Sequence, residues 1–231
     1  MALWCVVPAA GRGLRVGGDL PKQYLPLNGS TVIQCTLDRL CQLPAEAVIV
    51  PVAADDGRAG VLHYRDPQRI RFVVGGAERA DSVLAGLEAI ANQASDEDWV
   101  LVHDVARPCV RIEDIELLLA TIADHPVGGL LANPVRDTMK RGNGDEVAET
   151  VSRDHLWHAL TPQVFRYGLL REALQAARRD GQAVTDESQA VERCGERPLL
   201  VEGARDNLKI TYPEDLQLAE AFLRLQAEAG L

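Results

Sequence analysis

A glycine-rich segment near the start of the chain carries basic side chains that could bind phosphate groups. Residues 8–23 read PAAGRGLRVGGDLPKQ, with Arg15 and Lys22 among the cations. Glycines let the backbone approach a ligand closely, and nearby amides and cations can hold phosphate oxygens. A dinucleotide-binding GxGxxG would need glycine at Val16, and a P-loop would need lysine at Asp19. The residues alone leave open a solvated surface loop, but the continuation into PKQ favours a polyphosphate site.

Two later segments place polar side chains where predicted strands end. In GGAERADSV, residues 75–83, two glycines permit a tight turn and Ser82 falls in the first turn of a predicted helix, whose amides could face an anion. In VHDVARP, residues 102–108, Asp104 could bind Mg²⁺ directly or through water. Simpler alternatives are a helix cap for Ser82, and for Asp104 a turn cap with Arg107 as its salt-bridge partner.

Short apolar runs that alternate with stretches of helical period position these segments. The runs at 3–8, 47–52, 70–74, 99–103, 128–133 and 198–201 predict strands. Helical spacing at 31–42, 79–93, 112–124, 167–179 and 213–226 predicts the helices between or after them. This order predicts an α/β fold with a doubly wound, mostly parallel sheet, whose ligands bind beyond the carboxyl ends of the strands. The polar stretch 134–158, which contains RGNGD, predicts an inserted hairpin arm.

Composition limits the classes of function. A length of 231 residues fits one domain, 1–231, and the net charge of −10 disfavours nucleic-acid and anionic-membrane binding. No stretch approaches the roughly 20 apolar residues of a membrane helix. The five cysteines are scattered without a CxxC pair. These features predict a cytoplasmic protein with reduced thiols, in which any anionic ligand meets a local cluster of cations.

Eight motifs in order resemble one enzyme family. They are PAAGRGLR, PKQY, GGAERADSV, VHDVARP, PVRDTMK, TVSRDHLWHALTPQ, VTDE and DNLKIT, and they extend from about residue 3 to residue 221. Together they resemble the 2-C-methyl-D-erythritol 4-phosphate cytidylyltransferases of the non-mevalonate isoprenoid pathway. The resemblance implies a Rossmann-like nucleotidyltransferase fold with a protruding β-arm, at about 135–158, that joins a homodimer. It also implies transfer of CMP from CTP to methylerythritol phosphate, with Mg²⁺ as cofactor and pyrophosphate as second product.

The resemblance also implies roles for individual residues. The catalytic positions are Arg15, Lys22, Arg153 and Lys209. The positions that match the CTP site are Ala9, Ala10, Gly11, Gly13, Lys22, Gly76, Ser82, Asp104 and Ala106. The positions that match the acceptor site are Arg107, Thr138, Arg153, Thr161, Thr185 and Lys209, of which Thr138 and Arg153 would reach the site of a second subunit. Ala77 departs from the pattern, because some relatives have an acidic residue there.

Two alternatives remain open from the sequence. A cytidylyltransferase for another polyol phosphate, such as ribitol 5-phosphate, would share the nucleotide site and differ only in the acceptor site. A non-catalytic nucleotide-binding module would bind CTP without releasing pyrophosphate.

Transfer of CMP to methylerythritol phosphate needs no general base, because a phosphate monoester is already an anionic nucleophile near neutral pH. Alignment and charge neutralisation by groups such as Arg15 and Lys22 would then provide the catalysis.

Overall fold

A seven-stranded sheet organises the part of the chain that a computed structural model describes, residues 1–11 and 20–230. The strand order is β11-β7-β10-β6-β1-β4-β5. These strands are β1 (Leu3–Val6), β4 (Val48–Val52), β5 (Ile70–Val74), β6 (Trp99–Val102), β7 (Gly128–Pro134), β10 (Trp157–Arg166) and β11 (Leu199–Glu202). All pairings among them are parallel except those of β10, so the predicted doubly wound, mostly parallel α/β fold is confirmed.

Helices cover both faces of the sheet. They are α1 (Val32–Leu40), α2 (Arg79–Glu88), α3 (Ile112–Ile122), α4 (Tyr167–Arg179), α5 (Glu187–Arg193) and α6 (Pro213–Ala229). Successive side chains of a strand point to opposite faces, so Cys5 packs in one hydrophobic cluster with α1 and α3, while Trp4 and Val6 pack in another with α2 and α4. Burial on both sides explains why the central strands read as continuous apolar runs.

The interior strand β10 runs antiparallel to both of its neighbours, β6 and β7. The sequence predicts no strand here, because the first half of β10 is exposed and lacks an apolar run. The register shifts between Ala159 and Gln163, which takes Leu160, Thr161 and Pro162 out of regular pairing with β7. This irregularity turns polar groups of β10 toward the edge of the sheet where β6 ends.

A two-stranded arm separates β7 from β10. Strands β8 (Met139–Asn143) and β9 (Glu146–Val151) pair with each other as an antiparallel hairpin. Most of their residues are exposed, including Val147 with 64% of its surface accessible. The sequence prediction of a protruding β-arm is therefore confirmed. A further small hairpin, β2 (Pro26–Leu27) with β3 (Ser30–Thr31), precedes α1.

Local signals explain several element boundaries. Thr31 caps the start of α1, and α6 begins at Pro213 with two acidic residues in its first turn, as the sequence predicts. The short helix α5, which the sequence reading missed, begins after Asp186, whose carboxylate accepts a hydrogen bond from the Gln189 amide. Within the described residues, no helix is both long and apolar enough to pass through a lipid bilayer.

Candidate functional site

A pocket lies where β1, β5 and β6 end, at the edge of the sheet that the strand order predicts for a ligand. Three of its walls are the segments 8–11, 76–79 and 104–106, which directly follow these strands. Lys22, Gln23, Ser82 and Lys209 complete the lining. The pocket therefore contains the predicted nucleotide residues Ala9, Ala10, Gly11, Lys22, Gly76, Ser82, Asp104 and Ala106. Gly13 and Arg15 lie outside the described residues.

Close packing shapes the backbone of the pocket. A Cβ atom at Gly75 would lie 2.8 Å from the Ala10 Cβ and 2.9 Å from the Ser82 Oγ, so the turn after β5 tolerates no side chain there without movement. The Gly76 amide donates to the Ser82 Oγ at 3.1 Å, and the Gln23 side-chain amide donates to the Ala9 carbonyl at 2.9 Å. Because Ser82 lies on α2, its hydroxyl anchors the loop after β5 to that helix.

Lys22 connects the first loop to a distant part of the chain. Residues 22–24 form a single 3₁₀ turn, and the Lys22 Nζ donates to the Ile210 carbonyl at 2.8 Å. Ile210 adjoins Lys209, whose Nζ lies 2.7 Å from the Asp104 Oδ2. The PKQY and DNLKIT motifs, 188 residues apart where they touch, therefore meet at the same pocket.

Asp104 is a buried carboxylate surrounded by cations. Its Oδ1 accepts from the Arg79 Nε at 2.9 Å, while its Oδ2 lies 2.7 Å from the Lys209 Nζ and 3.7 Å from the Arg107 Nε. Burial alone would raise its pKa, but these cations together hold the pKa of Asp104 well below its ordinary range. The carboxylate is therefore ionised throughout the working pH range.

These contacts bear on the predicted role of Asp104 as a Mg²⁺ ligand. Both of its oxygens already face cations, so direct ligation would require Arg79 and Lys209 to move. Across residues 1–11 and 20–230, no group of three His, Cys, Asp or Glu side chains could hold a metal ion. The described side chains therefore do not fit a protein-built Mg²⁺ cage.

Arg79 and Glu187 form a buried ion pair beside Asp104. The Arg79 Nη1 and Nη2 donate to the two Glu187 oxygens at 2.6 and 2.9 Å. The Glu187 side chain has no exposed surface, and burial raises its pKa while the Arg79 guanidinium opposes that change. The guanidinium keeps Glu187 ionised because the contact is bidentate and arginine stays charged. Arg79 therefore links α5 to the turn after β6.

A neutral histidine orders the turn that carries Asp104. The fully buried His103 contacts the Arg107 carbonyl through Nε2 and the Thr161 Oγ1 through Nδ1, each at 3.0 Å. Because a carbonyl only accepts, Nε2 carries the proton and the Thr161 hydroxyl donates to Nδ1. The same hydroxyl oxygen accepts from the Asp104 amide at 3.0 Å. Burial lowers the pKa of His103 to about 4, so the ring is neutral near pH 7.

A second pocket adjoins the first and contains predicted acceptor residues. Arg107, Thr161, Thr185 and Lys209 line it, together with Arg79, Asp104 and Asp186. Asn207 supports this wall, because its side-chain amide donates to the Thr161 carbonyl at 2.8 Å and its own carbonyl accepts from the Arg107 Nη1 at 2.7 Å. Arg79, Asp104 and Lys209 line both pockets and so form their common boundary.

Two predicted acceptor residues lie elsewhere in this subunit. Thr138 and Arg153 are exposed at the base of the arm, and neither lines the two adjoining pockets. The Arg153 guanidinium donates to the Arg136 carbonyl across the arm. Within one chain, the structure therefore does not bring these residues together with Lys22 and Lys209.

The sequence reading missed several residues of the site, although all of them lie inside motifs that it singled out. They are His103 in VHDVARP, Arg79 in GGAERADSV, Glu187 in VTDE and Asn207 in DNLKIT. A charged residue is predicted to be solvent-exposed unless its partner is known. The partners of Arg79, Asp104 and Glu187, are 25 and 108 residues away in the sequence. No local feature of these motifs distinguishes the four residues, because the partners that define their roles come from other motifs.

Comparison with known proteins gives a consistent result. The family model for 2-C-methyl-D-erythritol 4-phosphate cytidylyltransferase matches residues 3–225. A protein of that name from Ectopseudomonas mendocina is 53% identical over 216 residues, which cover 92% of each chain. Another, from Vibrio vulnificus strain CMCP6, is 49% identical over 224 residues and covers 96% of this chain and 94% of the relative.

A solved structure agrees with the fold. The crystal structure of the 2-C-methyl-D-erythritol 4-phosphate cytidylyltransferase of Francisella tularensis superimposes with a TM-score of 0.84 at 34% identity. The match covers 96% of this chain and all of that chain. The similarity therefore spans the sheet, the helices and the segments that line both pockets.

Proposed function

The chain belongs to the 2-C-methyl-D-erythritol 4-phosphate cytidylyltransferase family, and we propose that its reaction takes place at the boundary between the two adjoining pockets. It is a nucleotidyltransferase that moves the CMP group of CTP to 2-C-methyl-D-erythritol 4-phosphate and releases pyrophosphate. One observation supports this location: Arg79, Asp104 and Lys209 form a wall that the two pockets share. One of these pockets contains the predicted CTP residues, and the other contains predicted acceptor residues.

The two pockets suit an in-line transfer between anions. An oxygen of the acceptor phosphate attacks the α-phosphorus of CTP, the new P–O bond forms, and the bond to the bridging oxygen of the pyrophosphate breaks. No proton needs to be removed from the attacking dianion. The residues therefore have to hold two anionic substrates in contact and stabilise the charge on the α-phosphate and the leaving group.

Local charge supports this role. Four cations, Lys22, Arg79, Arg107 and Lys209, line the described pockets together with three carboxylates, Glu78, Asp104 and Asp186, and Glu187 is buried behind them. Cations are thus as numerous as carboxylates at this site, in a chain whose net charge is −10. Lys22 supplies a compact charge at the nucleotide pocket, and Arg107 offers a planar fork at the acceptor pocket. Arg15, in the PAAGRGLR motif, lies outside the described residues, and its role in stabilising the transition state stays a prediction from the resemblance.

The acceptor can be tested directly. Pyrophosphate release should require CTP together with 2-C-methyl-D-erythritol 4-phosphate and should be far slower with ribitol 5-phosphate or with CTP alone. Activity with ribitol 5-phosphate only would contradict the assigned acceptor. Binding of CTP without pyrophosphate release in any mixture would favour the non-catalytic module.

The exposed arm supports a homodimer. An isolated two-stranded hairpin is at best marginally stable, and the side chains around this arm include exposed Val147, Leu156 and Trp157. We propose that the arm packs against a second copy of the chain and brings Thr138 and Arg153 to the acceptor pocket of that copy. Light scattering should then give twice the chain mass of 25.1 kDa. A monomeric mass in an active sample would contradict the dimer.

Mixing two inactive variants tests whether the active site is shared. Lys22→Ala and Arg153→Ala each remove one side chain of the proposed shared site. If the arm reaches the other subunit, a mixed dimer of the two variants has one site that keeps both Lys22 and Arg153 and one site that lacks both. Random exchange should therefore restore about a quarter of the wild-type activity. No recovery, with exchange verified by mass, would place both residues in one subunit's site. Mixing either variant with itself is the control.

The Mg²⁺ requirement stays a prediction from the resemblance. Because the described side chains do not form a cage for the ion, we assign it no protein ligand and derive no step from it. Removal of divalent ions with EDTA should abolish pyrophosphate release, and added Mg²⁺ should restore it. Full activity in EDTA would contradict the requirement.

A further inference from the structure

Glu187 lies behind the boundary of the two pockets and touches neither of them. We propose that it is a positioning residue for cytidylyl transfer, which holds Arg79 between the substrates and, through Arg79, fixes Asp104 and Lys209. The inference rests on the proposed location of the reaction at this boundary.

Four charged groups form a continuous chain. Glu187 binds both Nη atoms of Arg79, the Arg79 Nε reaches Asp104, and Asp104 pairs with Lys209, with all contacts between 2.6 and 2.9 Å. The four residues come from the start of α5, the start of α2, the turn after β6 and the segment after β11. Signs alternate along the chain, so each member orients the next one.

The forked geometry of arginine makes Glu187 the determinant of this arrangement. Once both Nη atoms of Arg79 are engaged by one carboxylate, the plane of the guanidinium is set and Nε is directed at the Asp104 Oδ1. One N–H of each Nη is left for a substrate. The Arg79 side chain is 28% exposed, whereas that of Glu187 is completely buried. Arg79 can therefore contact a substrate, but Glu187 acts only through Arg79.

The location predicts which kinetic constant changes. Arg79, Asp104 and Lys209 face both pockets, so they lie where the two substrates meet. A shift of these groups misaligns the two substrates relative to each other, and a misplacement of about 1 Å can cost about 100-fold in rate. Loss of Glu187 should therefore lower kcat more than it raises either KM.

Substitutions at both ends of the pair test the proposal. Glu187→Gln removes the charge and one acceptor at nearly constant shape, while Arg79→Lys removes the fork and keeps the charge. Each should lower kcat at least about tenfold, with both KM values within about threefold of wild type. Glu187→Asp keeps the charge and should give a kcat between those of Glu187→Gln and wild type. Ser188→Ala is the matched control, because this neighbour on α5 bonds through its hydroxyl to Glu192 and to no other described residue.

The double variant separates positioning from general destabilisation. If Glu187 acts through Arg79, then Glu187→Gln combined with Arg79→Lys should have about the kcat of the slower single variant and not the product of the two losses. Thermal midpoints of all variants should lie above the assay temperature. A normal kcat in Glu187→Gln, additive losses, or an equal loss in Ser188→Ala would overturn the proposal.

Two further outcomes are informative. If Glu187→Gln does not fold, Glu187→Asp and Arg79→Lys decide the matter: a reduced kcat in both folded proteins supports the inference, and a normal kcat in either overturns it. If wild-type protein releases no pyrophosphate from CTP and the acceptor, the proposed function fails. Normal variants of an active wild type would refute only the role of Glu187.

Discussion

Replacement of Thr161 by valine tests whether this residue is a structural bridge or an acceptor ligand. Its hydroxyl donates to the His103 Nδ1 and accepts from the Asp104 amide, and only 4% of the residue is exposed. Valine keeps the shape but leaves both partners buried and unpaired. Each unpaired group costs about 1–3 kcal/mol, so the free energy of unfolding should fall by about 2–6 kcal/mol.

Thr161→Ser is the matched variant, because it keeps the hydroxyl and loses one methyl group, at a cost of about 0.8 kcal/mol. Urea unfolding followed by the fluorescence of the three tryptophans, at one protein concentration, measures the difference. The valine variant should also lose kcat, because the Asp104 amide is no longer held. A valine variant as stable as the serine variant, with only a raised KM for the acceptor, would refute the bridge and favour direct contact with the acceptor.

Three other predictions concern the loop, the buried histidine and the turn after β5. Arg15→Ala and Lys22→Ala should each lower kcat at least about 100-fold with the fold intact, and near-normal turnover would remove that residue from its role. Because burial lowers the pKa of His103 to about 4, only the unfolded state binds its proton between about pH 6.5 and 5. This difference should cost about 2 kcal/mol of stability as the pH falls, and an equal pH dependence in His103→Gln would contradict it. In Gly75→Ala, the added Cβ would lie 2.8 Å from the nearest side chain, so KM for CTP should rise at least about threefold, whereas Gly57→Ala, in open space, should not change it.

The elements that the sequence predicted well are those with a strong local pattern. Strand β1 is a short apolar run and is completely buried, and α2 repeats apolar residues at helical spacing on the face that packs against the sheet. The first half of β10 was missed because it is exposed, and its place in the sheet depends on pairing with β6 and β7. Helix α5 is seven residues long, too short for a periodic pattern to be distinguished from a turn.

The sequence by itself determined the fold class, the family and the identity of the motifs, because these depend on residue order and local periodicity. It also indicated that basic residues would gather at the carboxyl ends of the strands. Which charges contact each other was decided only by the tertiary structure. The contact between Arg79 and Glu187 joins residues 108 positions apart, and that between Lys22 and Ile210 joins residues 188 apart.

The physical reason is that the properties of a charged side chain depend on its surroundings. The sequence leaves open whether Asp104 binds Mg²⁺ or caps a turn beside Arg107, and the folded chain surrounds it with three cations, which oppose the binding of another. The resemblance implies that Thr161 contacts the acceptor, but in the folded chain its hydroxyl hydrogen is committed to a buried ring. Sequence supplies the chemical groups, and burial and distance decide which of them remain available to a substrate.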